Sequence, residues 1–283
     1  MMPTATTTTA TTVAASPATP CGWAGPAPAH DAHVVWIWME NHSWSEVIGN
    51  PAAPFISALA HQCATDDHDA AVGSPSLPNY LGATSGSTQG LADDADPAAH
   101  SFAVDNLFRQ VRNAGGSERS FVESMPAPCT LVSSGSYAAK HNPAVYYDGP
   151  GDRSACTTDD LPFGDFPALL SSGELPTFTS ITPNLCDDMH DCSVSTGDQW
   201  LSTWLPRILA TASYRSGTTA VFIIWDEPSP VANVVVAPSV HPGTVAALPV
   251  DHYSVLRTTE ELLGLPLLGQ AATATSQRAA LNL

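Results

Sequence analysis

Two doublets of oxygen-bearing side chains each follow an apolar run. Glu40-Asn41 comes after HVVWIWM, His33 to Met39, and Asp226-Glu227 comes after AVFIIW, Ala220 to Trp225. A strand that stops on a pair of oxygen donors presents them at its end, and two such ends meeting could surround one ion. An all-oxygen set favours a hard cation, Ca²⁺, Mg²⁺ or Mn²⁺, over a thiolate-loving metal, with Zn²⁺ the further choice. Taken singly, Glu40 or Asp226 is more often a strand end or the start of a turn; the pairing of doublets is what points to a metal site.

Ser76 stands in SPSLPNYLGATSG, Ser74 to Gly86, just ahead of Pro78 and a short helical segment. A hydroxyl there faces backbone N–H groups at a helix N-terminus, which can receive a phosphate and favour an alkoxide, and a nearby cation lowers the hydroxyl pKa further. The ordinary role of such a serine is an N-cap. Asn79 can donate to a non-bridging phosphate oxygen or be a helix-surface amide. Among the 10 histidines, His141 lies in KHNP beside Lys140, His190 lies between Cys186 and Cys192, and His252 precedes an apolar helix in DHYSVLRTTEELLGL. Each could bind phosphate, ligate a second metal or protonate a leaving oxygen, and each could equally be a hydrogen-bonded structural histidine. His30, His61, His68, His100 and His241 fall in tails, helix surfaces or loops.

The elements that would position these residues follow from hydrophobic patterning. The two unbroken apolar runs read as central strands of a sheet covered on both faces. Further strands are expected at Ser120 to Ser124, Thr177 to Ile181 and Asn233 to Ala237. Amphipathic segments lie between them at Pro54 to Gln62, Leu77 to Ser85, Asp105 to Ala114, Trp200 to Tyr214 and Thr258 to Leu263. Strands alternating with helices predict an α/β fold, a mainly parallel central sheet with helices on both faces. In such sheets ligands bind at the carboxyl ends of the strands, where the doublets, Glu123, Asn184 and the Asp187 to Asp191 stretch all fall.

Composition narrows the function. The formal charge is −18, with Lys140 the sole lysine, which argues against nucleic acid and against docking on anionic lipid. A single anionic headgroup could still enter a pocket made positive by a metal. No apolar stretch reaches the ~20 residues of a membrane span, so no stable membrane insertion is expected, and the acidic surface assigns no oligomeric state. The 6 cysteines lack CxxC spacing, which leaves disulfides and an oxidising, extracellular compartment as the reading. Cys186 and Cys192 could staple the loop they flank; the other pairings stay open, Cys129 with Cys156 and Cys21 with Cys63 being one choice. Residues 1–20 form a Thr/Ala/Pro tract read as a flexible tail that is not a complete signal peptide, and residues 21–283 are read as one domain.

The strings HVVWIWMENHSW, SPSLPNYLGATSGSTQG, ESMPAPC, KHNPAVYY, TPNLCDDMHDC, GDQWL, VFIIWDE and HYSVLRTTEELLGLPLLG occur in this order from about Cys21 to Gly269. Together they resemble the bacterial phosphoesterase family, which holds secreted acid phosphatases and nonspecific phospholipases C and belongs to the alkaline phosphatase superfamily. The resemblance implies an alkaline-phosphatase-like fold, Glu40, Asn41, Asp226 and Glu227 as metal ligands, Ser76 as nucleophile, and Asp188, His190 and His252 as active-site residues. It also implies a departure, since family members often carry a histidine where this chain has Ser74; His68 or His141 would then have to substitute. The connection PSPVAN after Glu227 is short for a substrate-contacting loop.

The expected activity is a secreted metal-dependent phosphomonoesterase of acid-phosphatase type that passes phosphate through Ser76, with His190, His141 or His252 protonating the leaving group and Asn79 and Asp188 contacting phosphate. The first rival is a phosphodiesterase or phospholipase C acting on phospholipid headgroups with the same site. A second is a noncatalytic secreted protein that uses its cation structurally, and Ser76→Ala separates the two classes.

Overall fold

Ten strands organise the computed structural model, which describes residues 19–283. They are β1 (His33–Met39), β2 (Ala64–Asp66), β3 (Asp69–Ala70), β4 (Glu118–Val122), β5 (Asp160–Pro162), β6 (Phe178–Thr182), β7 (Thr219–Trp225), β8 (Asn233–Val236), β9 (Thr244–Ala246) and β10 (Val250–Asp251). Eight form one sheet in the order β5-β4-β6-β1-β7-β8-β2-β9, while β3 and β10 make a separate parallel ribbon. The centre β5-β4-β6-β1-β7 is parallel throughout. Strand β8 runs antiparallel to both its neighbours. The short connection from Trp225 to Asn233 dictates this, because a parallel return needs a crossover of about a dozen residues or more.

The long apolar strands sit in the middle because both their faces are covered. Every residue from Val34 to Met39 is buried, and alternate side chains meet different helices. Trp36 donates its Nε1–H to Thr259 Oγ1 at 3.0 Å, and Trp38 lies against Tyr80, ring centroids 4.2 Å apart. One face of β1 thus meets the helices Ser76–Ser85 and His252–Leu263. On the other face, Met39 abuts Gly197, within the helix Val194–Leu209. That helix also anchors the helix Pro54–Gln62: Asp198 accepts from Ile56 N at 2.8 Å and Phe55 N at 3.2 Å, supplying acceptors for amides that a helix start leaves free.

From β1 the chain crosses to the β2 side of the sheet and later fills the β4 and β6 side, so β1 ends at a switch point where such sheets open a crevice. Disulfides join Cys21–Cys63, Cys129–Cys156 and Cys186–Cys192, leaving no free cysteine. Among the described residues no helix is long and apolar enough to cross a membrane. Most of the tail expected at residues 1–20 lies outside the described residues. Pro20 does not behave as tail: its carbonyl accepts from Trp23 Nε1 at 3.2 Å and Tyr214 Oη at 2.5 Å.

Candidate active site

The three central strand ends converge. Glu40 follows β1 and is fully buried, and its backbone N–H donates at 2.8 Å to the carbonyl of Asp188, in the loop after β6. Asn41 then takes φ +58, a left-handed conformation that Asn tolerates better than most residues. The turn aims its N–H at Asp226 Oδ1, 2.9 Å away at the end of β7. The carboxylates of Glu40 and Asp226 therefore come close enough to act on one another.

Ser76 opens its helix and is buried, with its hydroxyl donating to Glu40 Oε2 at 3.2 Å. Tyr80, one turn further on, donates to Glu40 Oε1 at 2.5 Å. Positions four apart share a helix face, so the spacing in SLPNY could have revealed Tyr80, which the sequence reading missed. The helix start offers fewer free donors than expected. Leu77 N donates to Asp94 Oδ1 at 2.9 Å, and Pro78 has no N–H.

His141 is buried between Glu40, 3.1 Å from Nε2, and Asp188, 3.2 Å from Nδ1, and stacks on Tyr80. Of the two histidines that could replace the one absent at position 74, His141 stands in the site. His68 is exposed and paired with Asp67 outside it. Ser74 itself lies beside the Glu227 carboxyl. His190 lies at the partly open mouth: Lys140 Nζ sits 3.3 Å from its Nε2, and Asp191 Oδ1 sits 2.7 Å from its Nδ1. Lys140 also donates to Asp94 Oδ2 at 2.9 Å. The Asp94–Lys140 pair was not singled out in sequence, because nothing local links residues so far apart.

Electrostatics single out the centre. Burial, and then the charges of Asp226 and Asp188, push the Glu40 carboxyl well above the usual range. Burial raises Asp188 to about 7 and lowers His141 to about 3, keeping that imidazole neutral with a lone pair available. Asp226 Oδ2 is buried without a hydrogen-bond partner, and Asp188 Oδ2 and His141 Nε2 have only their close contacts with His141 Nδ1 and Glu40 Oε1, which are not aligned as hydrogen bonds. Among the described residues no Arg or Lys forms an ion pair with Glu40, Asp188 or Asp226. Such a cluster fits a bound cation. Ligand atoms of Glu40, His141 and His190 lie within 4.8 Å of one another, a mixed nitrogen and oxygen group that could hold a cation and that Zn²⁺ or Mn²⁺ would suit at least as well as Ca²⁺.

Three expected site residues are placed differently. Asn79, expected to reach phosphate, uses its amide on its own loop: Oδ1 accepts from Val72 N and Gly73 N, each at 2.9 Å, and Nδ2 donates to Gly73 O at 3.1 Å. It fixes the approach to Ser76. Glu227 turns to Ser74 at the rim while Asp226 stays at the centre. His252 is buried, and its Nε2–H donates to the Asp226 carbonyl at 2.7 Å, so it braces the strand end from behind.

This architecture recurs in solved structures. The chain is similar to a protein in the alkaline phosphatase superfamily from Vibrio parahaemolyticus, with TM-score 0.58 and 12% identity over 90% of this chain and 73% of that one. It is likewise similar to the lipoteichoic acid synthase LtaP from Listeria monocytogenes, with TM-score 0.58 and 11% identity over 87% and 75%. The fold is that of the alkaline phosphatase superfamily. The Phosphoesterase family model matches residues 49–230, and the chain belongs to that family. It is 36% identical over 249 residues to phosphatidylinositol-3-phosphatase of Mycobacterium tuberculosis, covering 86% of this chain and 80% of that protein. It is 28% identical over 256 residues to an acid phosphatase of Aspergillus fumigatus, covering 83% of this chain and 55% of the fungal one, so it spans little more than half of that relative. The protein is a hydrolase of phosphoric ester bonds.

Proposed function

We propose that this chain is a secreted, divalent-cation-dependent phosphomonoesterase that carries phosphate transiently on Ser76. The observation behind this reading is the Ser76 hydroxyl, 3.2 Å from a buried Glu40 that lies beside Asp226 and Asp188. Glu40 and Asp226, with Asn41 and the imidazole of His141 as further donors, would hold a cation that lowers the hydroxyl pKa and neutralises phosphate oxygens. Glu40 accepts the Ser76 proton while Oγ attacks phosphorus in line and the ester P–O bond breaks. The Lys140–His190 pair at the mouth protonates the departing alkoxide. Water then cleaves the phosphoserine, freeing phosphate and restoring the hydroxyl. Asp188 orients His141 from the far side, and Tyr80 holds Glu40. The disulfides support an oxidising location.

The name of the mycobacterial relative describes removal of a phosphate monoester carried on a lipid. That favours monoester over diester chemistry and admits a lipid-borne substrate. The test is hydrolysis of p-nitrophenyl phosphate, bis-p-nitrophenyl phosphate and vesicles containing phosphatidylinositol 3-phosphate, with wild type and Ser76→Ala, before and after chelation. Monoester turnover that chelator abolishes and Ser76→Ala lowers by ~10³-fold or more is expected. Turnover indifferent to both treatments, or confined to the diester, would overturn the reading.

A further inference from the structure

One carboxylate joins the start of the nucleophile's helix to the cation at the mouth. Asp94 Oδ1 accepts at 2.9 Å from the N–H of Leu77, the residue after Ser76, and its Oδ2 accepts at 2.9 Å from Lys140 Nζ. The stretch around it, LADDADP from Leu91 to Pro97, is itself pinned. The Ala95 carbonyl accepts from Tyr146 Oη at 3.0 Å, and Asp96 accepts from Ser133 Oγ at 2.7 Å and Ser133 N at 3.1 Å. Ser133 Oγ in turn accepts from Ala139 N at 2.9 Å, so the backbone and the side chain of the lysine turn are both tied to this stretch. His190 holds the ammonium from its other side. Its Nδ1–H donates to Asp191 Oδ1 at 2.7 Å, which leaves Nε2 as an acceptor 3.3 Å from Lys140 Nζ. A lysine ammonium has three N–H groups; with one turned to Asp94 and one to His190, the third is directed at what enters the mouth.

We infer that Asp94 is a positioning residue for leaving-group departure, setting the Lys140 ammonium at a fixed place relative to Ser76. The inference rests on the reading of the Lys140–His190 pair as the group that meets the departing alkoxide. In-line attack puts the leaving oxygen on the side of phosphorus opposite Ser76 Oγ, so a donor serving that oxygen must keep its register with the nucleophile. Asp94 supplies that register directly, because its two oxygens hold the two ends. An alkyl alkoxide is strongly basic and departs slowly without such a donor, whereas p-nitrophenolate is weakly basic and departs with little help. The clamp therefore sets how well the enzyme handles aliphatic phosphate esters relative to aryl ones.

The test is the ratio of kcat/KM on β-glycerol phosphate to kcat/KM on p-nitrophenyl phosphate in the full chain, for wild type, Asp94→Asn, Lys140→Met and the double variant. Asn keeps an oxygen for Leu77 N–H but no longer offers Lys140 a negative charge. The ratio should fall about tenfold in Asp94→Asn and by ~10²-fold in Lys140→Met, the lower end of what general acid catalysis contributes. The double variant should match Lys140→Met, because Asp94 acts through the lysine and two residues on one path are not additive. A residue that merely stabilised the fold would lower both substrates alike and leave the ratio unmoved. A ratio that falls in Lys140→Met but not in Asp94→Asn overturns the role of Asp94 and leaves the reading of the pair standing; a ratio unmoved in both sinks the pair as well. Should Asp94→Asn fail to fold, Ser133→Ala loosens the same lysine from the backbone side. It should lower the ratio in the same direction, and an unchanged ratio there would contradict the clamp.

Discussion

Around Glu40, side chains that touch substrate can be told apart from those that only position it. Tyr80→Phe removes one hydrogen bond to Glu40 and nothing that reaches the phosphate. Turnover should fall by ~10-fold, the scale of one hydrogen bond to a charged group, with KM and fold little changed. A purely structural role would instead lower the unfolding midpoint and leave turnover alone. Asn79→Ala should do the reverse: it strands the amides of Val72 and Gly73, lowering stability by about 1–3 kcal/mol in urea unfolding and loosening the approach to Ser76. The types and spacing of Glu40, Asp226 and Ser76 were readable because each falls where a strand or helix changes into a loop. For Asn79 and His252 the sequence left a structural role open, because it tells which groups a residue carries, not whether a nearby backbone claims them first.

At the scale of elements, the contact between the helices Ser76–Ser85 and His252–Leu263 sets where the nucleophile stands. Gly82 permits it: a Cβ there would meet Val72 Cγ2 at 2.7 Å and Tyr253 Cε1 at 3.3 Å. Gly82→Ala should cost about 1–3 kcal/mol by overpacking, measured by thermal unfolding, and should also reduce turnover because Ser76 shifts. Unchanged stability would mean that the two helices are free to part. The central strands were legible from uninterrupted apolar runs, and His33–Met39 and Pro54–Gln62 begin and end where the pattern does. The short strands β2, β3, β5, β9 and β10 were not, since two or three residues carry no period and form only where neighbouring strands offer hydrogen bonds. The antiparallel course of β8 lay in the length of PSPVAN, which was noted only as a short loop.

For the whole molecule, the covalent frame outweighs any single contact. The disulfides close loops with sequence separations of 42, 27 and 6 residues. Chain entropy alone then gives about 4, 3.5 and 2 kcal/mol, together comparable to the stability of an ordinary domain. Full reduction under mild conditions should therefore unfold the protein or lower its midpoint by tens of degrees, followed by circular dichroism; an unmoved midpoint would remove the argument for an oxidising compartment. A second global effect comes from Asp160. Burial raises its carboxyl to about 8, against ~4 in the unfolded chain. Between those values the folded state binds more protons, so this residue's contribution is complete at the acid end and is lost as pH rises through the interval. Asp160→Asn should flatten the decline of stability between about pH 5 and 8, read by urea unfolding. Identical slopes in both proteins would show that Asp160 is ionised in the fold.

The claim beneath all of this is that Ser76 takes phosphate while the strand ends at Glu40 and Asp226 hold a cation beside it. Acid quenching during turnover of p-nitrophenyl phosphate, followed by mass analysis of peptides, addresses it directly. Phosphate on the Ser76 peptide, present with divalent cation and absent after chelation, is the predicted result. Turnover with phosphate on a histidine, or on no residue at all, would contradict it.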